Sequence, residues 1–177
     1  MTIKNKIMKV LLINGSPRKQ GNTFLALSEV ASALEKQRIT TEIVSIGTKA
    51  VQGCIACNKC GELGRCVFRD ELYDTLHGKL AGADGLVVGS PTYNGQLYPP
   101  VDALLRKIAE RCIPHRRFAC FGSFTWAGAA VRRMTEFAEG MKWPVVGAPV
   151  ELKQGYSTAV EPACRVLVDA LVEDMKR

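Results

Sequence analysis

Lys9-Val10-Leu11-Leu12-Ile13-Asn14-Gly15-Ser16-Pro17-Arg18-Lys19-Gln20-Gly21-Asn22-Thr23 joins a short apolar run to a polar loop bounded by glycines. The run up to Ile13 shows no polar alternation, as a strand buried on both faces of a parallel sheet requires. Thr23 then opens a helix, with Phe24, Leu27, Val30, Ala31 and Leu34 on one face at helical spacing. The loop therefore ends at a helix N-terminus, where free N–H groups and the positive dipole end suit a phosphate. Ser16, Asn22 and Thr23 add neutral donors, and Arg18 adds charge. It is not a Walker A element, because five residues separate Gly15 from Gly21 and no Lys-Ser/Thr follows. Nor does it match G-x-G-x-x-G. A phosphate monoester suits it better than a dinucleotide; the competing reading is a Gly/Pro turn before a capped helix.

The same strand–loop–helix unit recurs along the chain. Glu42 to Ile46 reads as a second strand, followed by a cysteine-rich segment and a helix capped by Asp70, with Leu72, Leu76 and Leu80 inward. Gly85 to Gly89 reads as a third strand, followed by turn-rich Ser90-Pro91-Thr92-Tyr93-Asn94-Gly95. Pro99-Pro100 starts a helix carrying Val101, Leu104, Leu105 and Ile108. Arg117 to Gly122 is the fourth strand. Its loop, Gly122 to Gly128, leads into a helix with Val131, Met134, Phe137 and Met141. The segment from Pro144 to Leu152 contains a fifth strand, and Val160, Cys164, Leu167, Leu171 and Met175 mark the last helix. Five such units predict an α/β fold: a doubly wound, five-stranded parallel sheet, flavodoxin-like, in strand order 2-1-3-4-5. Its ligand belongs beyond the carboxyl ends of the strands, at the loops after strands 1, 3 and 4.

The chain has 177 residues, 47% hydrophobic and 23% charged, which predicts one domain spanning 1–177 with an insertion at 47–70. A domain of this size buries roughly 70% of its unfolded surface, so it needs no metal or disulfide to fold. No apolar run approaches a membrane span of about 18 residues, and no small-residue cleavage site follows Ile13, so no export signal is expected. That places the protein in the reducing cytoplasm, where clustered cysteines bind metal or do redox work. The net charge of +7 is scattered and lacks aromatic interleaving, which points away from nucleic acid.

Cys54, Cys57, Cys60 and Cys66 form C-x2-C-x2-C-x5-C, too crowded for a disulfide framework. The spacing suits a cubane iron–sulfur cluster, whose irons each take one thiolate from a short segment. Structural zinc, a Cys54–Cys57 thiol relay and an empty site remain as alternatives. Cys120 and Cys164 read as small core residues, Cys112 as a bystander. His77 reads as lying on a polar helix flank and His115 in a basic turn, neither with a catalytic partner.

The motif Gly15-Ser16-Pro17-Arg18 through Gly21-Asn22-Thr23 resembles the opening of the NAD(P)H-dependent FMN reductase branch of the flavodoxin-like superfamily. Ser90 to Gly95 is similar to that branch's second flavin loop. Tyr93-Asn94-Gly95 to Pro99-Pro100-Val101, and Gly122 to Gly128, are also similar to the flavodoxin domain of flavodiiron proteins. The cysteine motif resembles that of the iron–sulfur flavoproteins, where it ligates a [4Fe–4S] cluster. These resemblances imply that FMN binds with its phosphate on Ser16, Arg18, Asn22 and Thr23. Its ring would lie between Pro91, Thr92, Tyr93, Asn94, Gly95 and Ser123, Phe124, Thr125, Trp126. Tyr93 and Trp126 are candidates to stack on the ring, against plain turn and packing roles; Asn94 also reads as a left-handed turn residue. The two histidines are too few for a flavodiiron metal site.

The implied activity is FMN-dependent electron transfer coupled to the cluster, in a homo-oligomer (dimer or tetramer). The implied donor is a ferredoxin-like protein or NAD(P)H, with oxygen, peroxide or a quinone as acceptor and neither membrane nor nucleic acid as partner. The alternatives are a clusterless NAD(P)H-dependent FMN or quinone reductase and a flavodoxin-type carrier. With strand 2 at the sheet edge, strand spacing sets the cluster about 10–15 Å from its own flavin ring, and so predicts transfer to a neighbouring subunit's flavin.

Overall fold

Side chains that alternate between two apolar layers hold the central strands of this protein, seen in a computed structural model that describes residues 7–109, 117–153 and 160–177. The strands are β1 (Lys9–Asn14), β2 (Thr40–Ser45), β3 (Gly85–Tyr93), β4 (Gln96–Leu97), β5 (Arg117–Phe124) and β6 (Val150–Lys153). The helices are α1 (Asn22–Lys36), α2 (Cys60–Leu63), α3 (Glu71–Ala81), α4 (Pro99–Ala109), α5 (Ala130–Gly140) and α6 (Glu161–Lys176). From β1, Leu11 and Ile13 face the layer of α3, α4 and α5, whereas Val10 and Leu12 face α1 and α6. Likewise Leu86 and Val88 oppose Val87 in β3, and Phe118 and Cys120 oppose Ala119 and Phe121 in β5. That two-sided burial is why these strands read as unbroken apolar runs.

The sheet has six strands, not five. The parallel members run β2-β1-β3-β5-β6, and β4 pairs antiparallel with β3 off that path. The extra strand arises because β3 continues to Tyr93, four residues past Gly89, instead of turning at Ser90. Only Asn94 and Gly95 turn, with φ of 51° and 70°. Two successive positive φ values make the tight hairpin that Asn-Gly favours. The fifth expected strand is also divided. Val145 makes an isolated bridge to Phe118, Gly147 breaks the run with φ 70°, and β6 begins at Val150.

Asp70 caps α3 as expected, its side chain accepting from the Tyr73 N–H at 2.8 Å. The helical stripes hold with local differences: Phe24, Val131 and Phe137 are only half-buried, while Ala26, Ala130 and Ala138 are fully inside. Cys120 and Cys164 are buried, and Cys112 and His115 lie outside the described residues. His77 is half-buried at the side of α3's buried stripe: its ring packs 5.6 Å from that of Tyr73, and its buried Nε2 has no hydrogen-bond partner among the described residues. No helix among the described residues is long and apolar enough to cross a membrane.

Gly89 is a point of close approach between β3, β5 and α1. A Cβ there would sit 2.5 Å from the Phe121 ring and 2.8 Å from the Thr23 methyl. Gly89→Ala should therefore destabilise the fold by about 1–3 kcal/mol through overpacking, read as a lower urea midpoint at unchanged m.

Candidate functional site

Register brings the site together. Asn14 lies beside both Ser45 and Gly89, and Pro91 beside Ser123, so β1, β3 and β5 release their loops at one edge. The Gly15 N–H donates to the Gly89 carbonyl at 2.8 Å, tying the start of the first loop to β3. Within that loop the Ser16 N–H donates to Asn14 Oδ1 at 3.1 Å, and Ser16 Oγ accepts from the Arg18 N–H at 3.1 Å. The loop is thus folded by its own side chains before any ligand arrives. Across the sheet, the Thr23 and Ser123 hydroxyls meet at 3.2 Å.

A cavity of about 360 Å³ opens here, lined by Ser16, Arg18, Asn22, Thr23, Pro91, Thr92, Tyr93, Ser123, Phe124 and Thr125, together with Gly21. A second, of about 320 Å³, adjoins it through Thr92, Tyr93 and Thr125 and adds Asn94, Gly95, Trp126 and Ala127. All thirteen residues read from the sequence for FMN line one or the other. Gly21 and Ala127 also line them; both fall within the loops read for the flavin, though the sequence singles out neither as a site residue.

The lining suits an anion with a planar apolar body. It carries Arg18, several hydroxyls and the Asn22 amide, and among the described residues no acidic side chain lines either cavity. Gly21 precedes α1, no side chain caps this helix, and its first turn contains no acid. Its N–H groups therefore meet no competing anion from the protein, the setting in which helix ends hold phosphate. Phosphate at one end and aromatic residues at the mouth match the shape of FMN. Tyr93 is 39% exposed and Trp126 91% exposed. Tyr93 is already braced by an edge-on contact with Tyr98, ring centres 5.4 Å apart, so it offers a fixed surface. Thr92 has a structural duty as well: its Oγ1 accepts from the Ala129 and Ala130 N–H groups at 3.4 and 3.2 Å, capping α5 from another element.

The four loop cysteines line a separate small pocket with Ile55, Val67, Phe68 and Lys107. It shares no lining residue with the two flavin-sized cavities. The loop does not stay at the β2 edge. Val51 and Cys66 pack on the α3–α4–α5 layer, and Lys107 comes from α4, on the sheet face opposite α1. The loop backbone is tightly wound, with left-handed residues at Ala56 (φ 54°), Asn58 (φ 58°) and Gly64 (φ 64°) between successive cysteines. Such geometry is uncommon for alanine and clusters at ligand clamps. The Ala56 N–H donates to Cys54 Sγ at 3.3 Å, as a thiolate ligand would accept it. Among the described residues no three His, Cys, Asp or Glu side chains converge on a single ion position. The four cysteines do line one pocket, and a set of four soft sulfur donors is the chemistry an iron–sulfur group takes.

A sequence model described as NADPH-dependent FMN reductase matches residues 8–149. The chain belongs to that family. The family's description concerns the reduction of FMN, and the fold of this chain is flavodoxin-like. It is 40% identical over 109 residues to an iron–sulfur flavoprotein of Methanocaldococcus jannaschii, covering 62% of this chain and 54% of that one. An iron–sulfur flavoprotein of Methanosarcina thermophila is 33% identical, over 62% and 55%. The chain thus spans about half the length of the curated relatives it matches. Among solved structures, rubredoxin:oxygen oxidoreductase of Desulfovibrio gigas superposes with a TM-score of 0.74 at 20% identity, over 95% of this chain and 36% of that one. An archaeal flavodoxin gives 0.69 at 19% identity, over 96% and 100%. At such identities these two superpositions establish the fold alone.

This reductase-family chain holds two kinds of cysteine. Burial pushes the Cys120 thiol up to about 11 despite a contact with the Thr135 hydroxyl. Burial, aided by Glu29 and Glu161, pushes Cys164 to about 11 as well. Both stay protonated at neutral pH and lack the thiolate needed for attack. In iron-free protein at pH 8, iodoacetamide should label exposed Cys57 well before Cys120 or Cys164, read by peptide mass spectrometry.

Proposed function

We propose that this protein is an FMN-dependent electron-transfer oxidoreductase whose cysteine loop carries a [4Fe–4S] cluster. The observation that carries the proposal is one chain with four cysteines lining one pocket and a helix-headed cavity at the carboxyl edge of the sheet that no acidic side chain among the described residues lines. The names of the relatives from Methanocaldococcus jannaschii and Methanosarcina thermophila support it.

In this reading Ser16, Arg18, Asn22, Thr23 and the α1 N-terminus hold the FMN phosphate. The β3–β4 hairpin, from Pro91 to Gly95, and the segment from Ser123 to Trp126 bracket the ring and limit water at it. Cys54, Cys57, Cys60 and Cys66 hold the cluster. When bound, FMN supplies exchange of two electrons and the cluster exchange of one, so the pair joins a one-electron carrier to two-electron chemistry. The donor is a ferredoxin-like protein or NAD(P)H; the acceptor is a small oxidant such as oxygen, peroxide or a quinone.

The separation of the two sites supports work in a homo-oligomer, where the loop of one subunit faces the flavin of another. Exposed Ile55 and Leu63 on the loop, and Trp126 at the cavity mouth, give such an interface apolar area. Thiol-held iron fits the reducing cytoplasm. A second reading, an NAD(P)H-dependent FMN or quinone reductase without a cluster, is favoured by the description of the matching family itself.

Anaerobic purification followed by iron, acid-labile sulfide and flavin assays separates the two. The cluster reading expects all three in the wild type, and in Cys57→Ala loss of iron and sulfide with FMN retained. Flavin without iron or sulfide in the wild type would establish the second reading.

A further inference from the structure

Among the described residues Lys107 is the only charged side chain in the buried interior, 2% exposed. It occupies α4 beside Leu104 and Ile108, where a sequence reading assigns lysine to solvent. Its Nζ donates to Asp70 Oδ2 at 2.5 Å and lies 4.7 Å from the centre of the Tyr73 ring. Asp70 Oδ1 meanwhile caps α3, and the Tyr73 hydroxyl accepts from the Cys66 N–H at 2.9 Å. Lys107 thus lines the cysteine pocket, and the partners that hold it also fix the backbone of one cysteine.

Burying an ion pair is costly in desolvation, and apolar replacements often stabilise such sites. A lysine retained there calls for a use of its charge. We propose that Lys107 is a positioning residue that holds a fixed positive charge against the cysteine pocket and so raises the reduction potential of the cluster seated in it. The inference rests on the cluster reading of the preceding section. A cluster held by four thiolates is anionic, and the electron it accepts from a one-electron carrier makes it more so. A cation held nearby, away from water, stabilises the reduced form more than the oxidised form. Arg106, the preceding residue, does not substitute for it. That side chain also interacts with Cys54, but it is 60% exposed, where solvent screens its field.

The alternative role is a mechanical staple between α3 and α4, which would affect stability and leave the potential alone. Redox titration of the purified holoprotein, followed by the visible and EPR signals of the cluster, separates the two. Lys107→Met keeps the length and removes the charge, and Lys107→Arg keeps the charge. The double variant Asp70→Asn, Lys107→Met avoids a stranded carboxylate if the single variant folds poorly, since asparagine also caps helices. The expected result is a lower cluster potential in Lys107→Met, a smaller lowering in the double variant, which loses the Asp70 anion along with the cation facing the pocket, near-wild-type potential in Lys107→Arg, and an unchanged FMN content. Because the charge is buried, the shift should persist in high salt.

An unaltered potential in Lys107→Met, or in the double variant where the single variant does not fold, would overturn the inference, as would equal displacement in Lys107→Met and Lys107→Arg. Should the methionine variants bind FMN but no cluster, retention by Lys107→Arg supports a role for charge, and loss there too overturns it. Wild-type protein with FMN and no iron would instead sink the cluster reading, a result distinct from all of these.

Discussion

The hydrogen bond from Gly15 to the Gly89 carbonyl is the constraint on which the cofactor edge depends. It requires β1 and β3 to end in register and the first loop to pass close over β3. A side chain at Gly15 would collide with Val101 and with that same carbonyl. Once the bond is made, α1 starts where its N-terminus faces the cavity, and the Thr23–Ser123 contact brings in β5. The helices on either face are the means by which an apolar sheet keeps this edge rigid. Preorganisation of this kind lowers the ordering cost of binding.

Much of this was legible in the chain. The strands buried on both faces are continuous apolar runs, and the glycine loop before α1 has one natural position in an α/β sheet. The extra hairpin was less legible, because Ser90, Pro91 and Thr92 are common turn residues, yet here they extend β3. Pairing with β5 outweighs their local preference, Pro91 lying beside Ser123 in the ladder. Only Asn94-Gly95 keeps the turn that its residue types demand. The thirteen residues read for the flavin reach two adjoining cavities because the order of the loops follows from the order of the strands.

The cysteine loop shows where such reading runs short. Counting strand spacings from the β2 edge gives a distance within the plane of the sheet. The loop leaves that plane and packs over α3 toward α4, a move dictated by Val51, Cys66 and the Asp70–Lys107 pair. Lys107 itself was invisible as a site residue, since only the folded chain shows that a lysine points inward. Among the described residues the two linings are separate, so the proposed flavin and cluster would be held by independent parts of the chain.

The central claim is that both redox groups belong to this one chain. Anaerobic reductive titration of the purified protein, counted against protein concentration, tests it most directly. A bound FMN takes up two electrons and one cluster takes up one more, so the account predicts three electrons per chain, with flavin bleaching and cluster bleaching resolved in the spectrum. Uptake of only two electrons per chain, all of it in the flavin bands, would contradict it.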